Sequence, residues 1–420
     1  MVYNVGMDIC NTKKIRTAIV GGGAAGLVLA TSLSRSQSGV VVFEKNDRVG
    51  RKLAATGNGQ GNITNADVTS APYFSSTVLG EERAKEMISA FDDRSLVEYF
   101  ENLGLLLLFD ERGRAYPAGR QASAISDALR FCAHQQGVQT YTQTVITALE
   151  KKNGAFVLHA QTADGKKTYT AENVVLCTGG KAAKNFGTDG TAYALATAFG
   201  HTVTPLYPSL VQMKTDTANI RTLKGIRIAD AGVTASWQEN GKRKELHLRG
   251  DVIFTDYGVS GDAIFRLSAF VADKIQNGVQ LSLDFLPDFD EERVLAALSH
   301  KRNAFPNQET GEWLCGIVNN QVGRAVMKTL PTPDLASVAK RVKAFPLAVK
   351  GTLGFDYAQV TKGGIPLEET DENLQSKKTD GLYFAGEILD VDGQCGGFNL
   401  QWAYASARTV AAAIAQKYGK

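Results

Sequence analysis

The chain has 420 residues, more than one hydrophobic core usually organises, so two or three domains are expected. Its 46 Lys and Arg residues nearly balance 43 Asp and Glu residues, and a net charge of +3 is too small to predict nucleic acid or a membrane surface as a partner. Five scattered cysteines and five histidines without ligand spacing argue against a disulfide framework and a metal site. With neither a signal-peptide pattern nor a long apolar run, we expect a cytoplasmic protein.

The first predicted unit is a strand, a glycine turn, a helix and a parallel strand. Residues 16–20 form a short apolar run, the glycine-rich residues 21–26 follow, and an Ala- and Leu-rich stretch continues to about residue 34. A second apolar run covers residues 40–43. This order is typical of the first βαβ unit of a dinucleotide-binding domain.

The following region alternates between helical and extended patterns. A helix is predicted over 123–136, and three alternating segments predict an antiparallel meander: 138–150, 155–162 and 166–171. A buried strand from Val174, ended by glycines, and a helix over 191–199 come next.

The middle of the chain changes character. Residues 203–254 have a β-rich pattern, with turns predicted at Asn240-Gly241 and Arg249-Gly250. Mostly helical segments follow and then strand-like residues, in this order: 261–276, 290–302, 313–330, 334–342 and 347–360. The last part runs from an apolar segment at Gly381 into a long helix over 398–417.

Because this last part has the apolar character of the first, the simplest arrangement is an α/β fold with a discontinuous domain. Residues 1–203 and 362–420 would form a Rossmann-type nucleotide-binding domain. Residues 204–258 and 346–361 would form an inserted β domain, and residues 259–345 a helical third domain.

The glycine turn carries the dinucleotide pattern. Gly21 permits the tight turn, Gly23 lets a pyrophosphate approach the backbone, and Gly26 lets helix and strand pack closely. Ala24 and Ala25 open the helix, whose free N–H groups and dipole favour an anion. We therefore expect these five residues to contact the cofactor.

An acidic residue follows at the expected distance. Glu44 ends the second strand about twenty residues after the glycines, where a carboxylate accepts hydrogen bonds from an adenosine ribose. Glutamate at this position disfavours a 2′-phosphate. Lys45, Arg51 and Lys52 are nearby in sequence and are also predicted to lie at the cofactor.

Two further segments favour FAD over NAD. The glycine- and amide-rich residues 55–65, which include Gly61 and Asn62, can pass close to a planar ring, although a surface loop has the same composition. The segment from Gly381 resembles the one through which flavoproteins hold the ribityl chain, and the final helix would direct its positive N-terminus towards the flavin N1–C2=O edge. The predicted contacts here are Gly386, Glu387, Asp390, Asn399 and Leu400.

Together these motifs resemble the three-domain bacterial flavoprotein family that includes aminoacetone oxidase. The resemblance rests on residues 21–26, 50–52, 61–65, 178–180, 254–255, 258–261 and 381–401. It implies a non-covalently bound FAD, a β-barrel as the inserted domain and a helical third domain. It also implies that Val145 contacts the adenine through its backbone and that Thr178 and Gly179 lie at the cofactor.

The resemblance implies an oxidoreductase, and our first expectation is oxidation of a small primary amine by hydride transfer to flavin N5. Aminoacetone would give methylglyoxal, ammonia and, with molecular oxygen, hydrogen peroxide. One alternative is an NAD(P)H-dependent reductase of a carbonyl or enone, although the sequence has one dinucleotide fingerprint. The other is an RNA-associated flavoprotein, which the near-neutral charge disfavours.

Lys362 is the candidate catalytic residue. It lies in residues 361–364, where the chain is expected to return to the Rossmann domain, and two glycines follow it. A cation near the flavin would stabilise the reduced ring and the charge formed during oxygen reduction. The competing interpretation is a solvated lysine at a hairpin turn.

Overall fold

The computed structural model describes residues 15–33, 35 and 37–418. They form two units, each with its own hydrophobic core. The first unit comprises the described residues up to Leu206 and those from Val360 onward, and the second runs from Tyr207 to Gln359.

The chain up to Leu206 builds most of the first unit. Its strands are β1 (Ile15–Val20), β2 (Val40–Phe43), β3 (Thr64–Asn65), β4 (Tyr73–Phe74), β5 (Leu107–Phe109), β6 (Arg114–Pro117), β7 (Gln139–Tyr141), β8 (Val145–Lys152), β9 (Ala155–Thr162) and β10 (Gly165–Leu176). Its helices are α1 (Ala24–Leu33), α2 (Val78–Ala90), α3 (Asp93–Glu101), α4 (Ala122–Gln135) and α5 (Tyr193–Thr197).

The second unit contains both strands and helices. The strands are β11 (Tyr207–Ser209), β12 (Met213–Thr215), β13 (Arg227–Glu239), β14 (Lys242–Phe254), β15 (Gly258–Ser260), β16 (Gln280–Asp284) and β17 (Phe345–Thr352). The helices are α6 (Asp262–Val271), α7 (Glu291–Ala304), α8 (Asn320–Lys328) and α9 (Leu335–Lys343).

The chain then returns to the first unit. It adds three strands and a long helix: β18 (Val360–Lys362), β19 (Leu382–Phe384), β20 (Asp392–Gly393) and α10 (Phe398–Tyr418).

The first unit is organised around one mixed sheet with the strand order β7-β2-β1-β10-β9-β8, and β19 pairs with β10. The strands β7, β2, β1 and β19 and the second half of β10 are parallel, which is the Rossmann arrangement. Strand β2 is apolar and buried along its whole length, as expected for a sheet that helices cover on both faces. The predicted Rossmann-type fold is confirmed.

Strand β10 differs from the sequence prediction, which had one strand over 166–171 and another from Val174. The two are a single strand of 12 residues. Its first half pairs with β9 antiparallel, and from Ala171 onward it pairs with β1 in parallel. The meander is therefore continuous with the central parallel sheet.

In the second unit six strands close into a barrel in the order β12-β15-β14-β13-β16-β17, as the family resemblance implied. Strands β13 and β14 form a long hairpin whose tip is Asn240-Gly241, with positive φ at both residues, the usual backbone of a two-residue turn. The prediction of a turn at Arg249-Gly250 is wrong. Gly250 lies inside β14 opposite Ala231, next to a bulge in β13.

Helices α6 to α9 share the apolar core of the barrel, so the helical insert is part of the second unit. Leu267, Val326 and Val338 are fully buried there. Among the described residues, no helix has the length and apolarity needed to cross a membrane.

Candidate flavin site

The glycine turn between β1 and α1 contains two glycines that are closely packed and one whose surroundings are open. A Cβ on Gly21 would lie less than 3.0 Å from the carbonyl oxygen of Cys177, and one on Gly26 would lie as close to the carbonyl oxygen of Gly21. A Cβ on Gly23 would meet no atom within 4 Å. The turn is thus closely packed at Gly21 and Gly26 and open at Gly23, beside the N-terminus of α1.

The carboxylate of Glu44 lies against this turn. Glu44 is 7% exposed; its Oε2 accepts the N–H of Gly22 at 2.8 Å. Its Oε1 accepts the N–H of Asn46 at 2.8 Å and the side-chain amide of Asn46 at 2.7 Å. These bonds fix the carboxylate and occupy both lone-pair sites of Oε1, while Oε2 keeps one site for a ribose hydroxyl.

Two buried polar atoms of the predicted cofactor segments have no hydrogen-bond partner among the described residues: Oδ1 of Asn62 and Oγ1 of Thr178. Thr178 adjoins Gly21 at the carboxyl end of β10, since a Cβ on Gly21 would also approach the Cα of Thr178. A buried unpaired polar atom costs about 1–3 kcal/mol, so such atoms fit a bound ligand that supplies the missing partner. Gly61 and Gly179, beside them, both have positive φ.

Lys52 and Glu387 bind each other. The Lys52 ammonium lies 2.8 Å from Oε2 of Glu387, and the N–H of Thr361 donates to Oε1 of Glu387 at 2.9 Å. The Thr361 hydroxyl in turn accepts the N–H groups of Lys181 and Ala182. The pair therefore ties together four chain segments of the predicted cofactor site.

The other basic candidates also have protein partners. Lys45 forms an ion pair with Asp189 at 3.0 Å, and the Arg51 guanidinium donates to Oδ1 of Asn46 at 3.2 Å. Asn46 is the residue that also holds Glu44, so Arg51 supports the carboxylate through it. A direct contact of these two side chains with FAD stays a prediction.

The segment after β19 packs on two helices. A Cβ on Gly386 would lie 3.0 Å from Cβ of Ala25 in α1, and the N–H of Gly386 donates to Oγ of Ser406 in α10 at 2.9 Å. The indole N–H of Trp402, also in α10, donates to the Gly386 carbonyl at 3.2 Å. Because Gly386 has no side chain, this segment can pack closely against the beginning of α1.

Asp390 and Asn399 have different surroundings. Asp390 is 2% exposed, and its Oδ2 accepts the N–H of Ser76 at 3.0 Å. Burial raises the pKa of Asp390. Asn399 accepts the N–H of Gly393 at 2.9 Å and donates to the carbonyl of Gly393 at 2.8 Å, so its side chain shapes the loop before α10. Leu400, in the first turn of α10, is partly exposed.

Val145 begins β8 and is 40% exposed. The N–H of the preceding Thr144 donates to the backbone carbonyl of Glu44 at 2.9 Å, so Val145 lies near the proposed ribose contact.

Lys362 places its ammonium 5.6 Å from the ring centroid of Phe74 in β4, a cation–π distance. The roles of Val145 at adenine and of Lys362 at the flavin stay predictions.

Sequence reasoning missed a group of side chains beside the amide-rich loop. The ring of Tyr116 in β6 lies against Gly57, whose Cβ would be 3.6 Å from Tyr116 Cε1. Two guanidinium carbons lie over this ring, Arg120 at 4.2 Å and Arg114 at 5.8 Å from its centroid. Arg and Tyr at a short hairpin are common, so the sequence held no distinctive signal. Within the described part of the chain, no cluster of His, Cys, Asp and Glu has a geometry suited to a metal ion.

A protein-family model matches nearly the whole chain. It is described as the HI0933-like protein Rossmann domain and covers residues 15–413. The chain belongs to this family. With the open space at Gly23, the fixed carboxylate of Glu44 and the unpaired atoms of Asn62 and Thr178, the family membership indicates FAD as the cofactor.

Individual relatives cover nearly the whole chain. The chain is 34% identical to the 3-dehydro-bile acid delta(4,6)-reductase of Clostridium scindens, over 96% of this chain and 99% of the relative. It is 27% identical to the ribosomal RNA dihydrouridine synthase of Escherichia coli, over 93% and 95%. The crystal structure of 3-ketosteroid-delta4-(5alpha)-dehydrogenase from Rhodococcus jostii RHA1 has the same fold, with a TM-score of 0.51, 16% identity and coverage of 97% and 99%. The chain is an FAD-dependent oxidoreductase of this family.

Proposed function

We propose that this chain reduces a carbon–carbon double bond conjugated to a carbonyl group in a small molecule. The similarity to the Clostridium scindens reductase carries the proposal, because it reaches 34% identity and extends over 99% of that protein. The name of that relative describes reduction of a 3-dehydro bile acid, and the name of the Escherichia coli synthase describes formation of dihydrouridine in ribosomal RNA. Both are reductions of a ring double bond. A reductase therefore has more support than the amine oxidase expected first.

When bound, FAD supplies a hydride carrier at its N5 atom. The chain's own residues hold and orient it. Oε2 of Glu44 would accept a hydrogen bond from a ribose hydroxyl, and the open backbone at Gly23 would receive the pyrophosphate. The unpaired oxygen atoms of Asn62 and Thr178 would form hydrogen bonds with the cofactor. The ion pair of Lys52 and Glu387 would keep the surrounding segments in register.

Oxidation of a small primary amine is the second candidate, supported by the motifs that the chain shares with the family of aminoacetone oxidase. Aminoacetone, water and oxygen would give methylglyoxal, ammonia and hydrogen peroxide. Both reactions use the same cofactor site, so the electron donor distinguishes them. We propose a small molecule rather than RNA as the substrate, because the charge of +3 offers little attraction for a polyanion.

The test is anaerobic reduction of the purified, FAD-loaded protein, followed through bleaching of flavin absorbance. NADH or NADPH should bleach the flavin, and a 4-ene-3-oxo steroid should restore the colour with formation of the saturated ketone. Bleaching by aminoacetone, with peroxide formed on admission of air, would replace this proposal with the amine oxidase. Recolouring by ribosomal RNA but not by the steroid would identify RNA as the substrate.

A further inference from the structure

The surroundings of Tyr116 form a cationic shelf, which we define as Arg114, Tyr116 and Arg120. Tyr116 is buried and packs on Gly57, in the amide-rich loop predicted to approach the flavin. The N–H of Ile63 in the same loop donates to the carbonyl of Ala115 at 2.9 Å. The shelf is thus attached directly to that loop.

A second predicted flavin segment borders the same shelf. A Cβ on Gly396, in the loop before α10, would lie 3.9 Å from Cδ of Arg114. The side-chain amide of Asn65 donates to the carbonyl of Gly396 at 3.2 Å, and Asn65 pairs with Arg114 across β3 and β6. Both loops predicted to lie at the flavin ring therefore adjoin these cations.

The two guanidinium groups differ in how they are neutralised. Arg114 is bound by Asp110, with Nε and Nη2 at 2.8 Å and 2.7 Å from Oδ2. Arg120 has no carboxylate partner among residues 15–33, 35 and 37–418, and its nearest polar side-chain contact is Oε1 of Gln60 at 3.5 Å. One full positive charge is therefore left exposed beside the loops predicted to approach the flavin.

The backbone presents this charge at some energetic cost. Arg120 has a φ of 50°, in the left-handed region that non-glycine residues seldom adopt. Its N–H donates to the carbonyl of Pro117 at 2.8 Å, which closes a turn, and its guanidinium stacks on Tyr116. Non-glycine residues held in this backbone region cluster at functional sites. A flexible surface arginine needs neither the strain nor the stacking.

We propose that Arg120 binds an anionic group of a molecule that reacts at the flavin. A planar guanidinium held on an aromatic ring suits a carboxylate or a phosphate, each of which accepts two parallel hydrogen bonds. Under the reductase function proposed above, on which this inference rests, the anion is the carboxylate of an enone acid or a phosphate of the nicotinamide reductant. The bound anion would pair with the guanidinium of Arg120 in place of a protein carboxylate.

The test measures equilibrium binding to the FAD-loaded protein, so it does not depend on turnover. Flavin difference spectra would follow titration with cholate, cholate methyl ester and NADP⁺. Arg120→Met keeps the stacking volume and removes the charge, and we expect about tenfold weaker binding of one anion. The matched control is Arg130→Met in α4, since Arg130 also lies over an aromatic ring, Phe131, but pairs with Asp127.

The outcomes separate the two sources of the anion. Weaker binding of cholate with unchanged binding of its ester identifies the substrate carboxylate, and weaker binding of NADP⁺ identifies the reductant phosphate. Unchanged binding of both anions, or equal weakening for cholate and its ester, would overturn the proposal. If the wild type binds an anion through Arg120 but reduces no enone, the proposed reaction fails and the anion site stands. Unchanged FAD content and melting temperature would show that the variant is folded.

Discussion

The contrast between Gly23 and Gly26 gives the sharpest test of the cofactor site. Ala at Gly26 would place its Cβ less than 3.0 Å from the carbonyl oxygen of Gly21, so α1 must move away from β1. Overpacking of this kind typically costs about 1–3 kcal/mol. Ala at Gly23 meets no protein atom within 4 Å, and the FAD-free protein should keep its unfolding free energy to within about 1 kcal/mol.

Gly23→Ala should affect FAD binding rather than the stability of the FAD-free protein. The Cβ of Gly23→Ala occupies the space through which the pyrophosphate approaches the backbone, so FAD affinity should fall by about 1–3 kcal/mol, roughly fivefold to 150-fold. Urea unfolding of the FAD-free protein and titration with FAD, followed by quenching of flavin fluorescence, measure the two quantities separately. FAD binding equal to the wild type in Gly23→Ala would refute the assignment. So would a loss of stability as large as that of Gly26→Ala.

Three further predictions concern single side chains. Glu44→Ala should weaken FAD binding by about 1.5–3 kcal/mol, because a charge-assisted acceptor is lost; an unchanged dissociation constant would place the adenosine elsewhere. Burial raises the pKa of Glu369, but hydrogen bonds from Lys378 and Thr202 outweigh it and lower this pKa from 4.5 to about 2. The stabilisation by Glu369 is therefore complete above pH 4.5 and is lost as the pH falls towards about 2. Across that range the unfolding free energy of Glu369→Gln should depend less steeply on pH than that of the wild type. Equal slopes for variant and wild type would contradict this. Lys362→Met should alter the stopped-flow rates of flavin reduction or reoxidation, whereas unchanged rates and spectrum would restrict Lys362 to its packing on Phe74.

The sequence predicted best where the signal was local. The unit from β1 to β2 was recognised because an apolar run, a glycine turn and a helix follow one another within 29 residues, Ile15–Phe43. The turn at Asn240-Gly241 was equally local. Gly250 misled the prediction, because a glycine opposite a bulge has the same sequence appearance as a glycine in a turn.

Long-range relations escaped the sequence. Lys52 and Glu387 were both predicted to contact the cofactor, but their ion pair joins residues 335 positions apart, and no local pattern encodes it. The continuity of β10 was missed because its two halves differ: the first half is polar and mostly exposed, and the strand ends in the buried apolar residues Val174, Val175 and Leu176. The stacking of Arg120 on Tyr116 depends on a left-handed backbone that composition does not reveal.

The position of β19 and α10 near the end of the chain has a consequence for biosynthesis. Strand β10 is flanked by β1 and β19, and α1 packs against α10, so the first unit needs two segments that the second unit separates in the sequence. A ribosome releases the N-terminal glycine turn long before Gly386 and Trp402 emerge to support it. The barrel of the second unit lies between these two segments in the sequence and is made before Gly386. We therefore expect FAD to bind stably only after the segment with Gly386 and Trp402 has been synthesised.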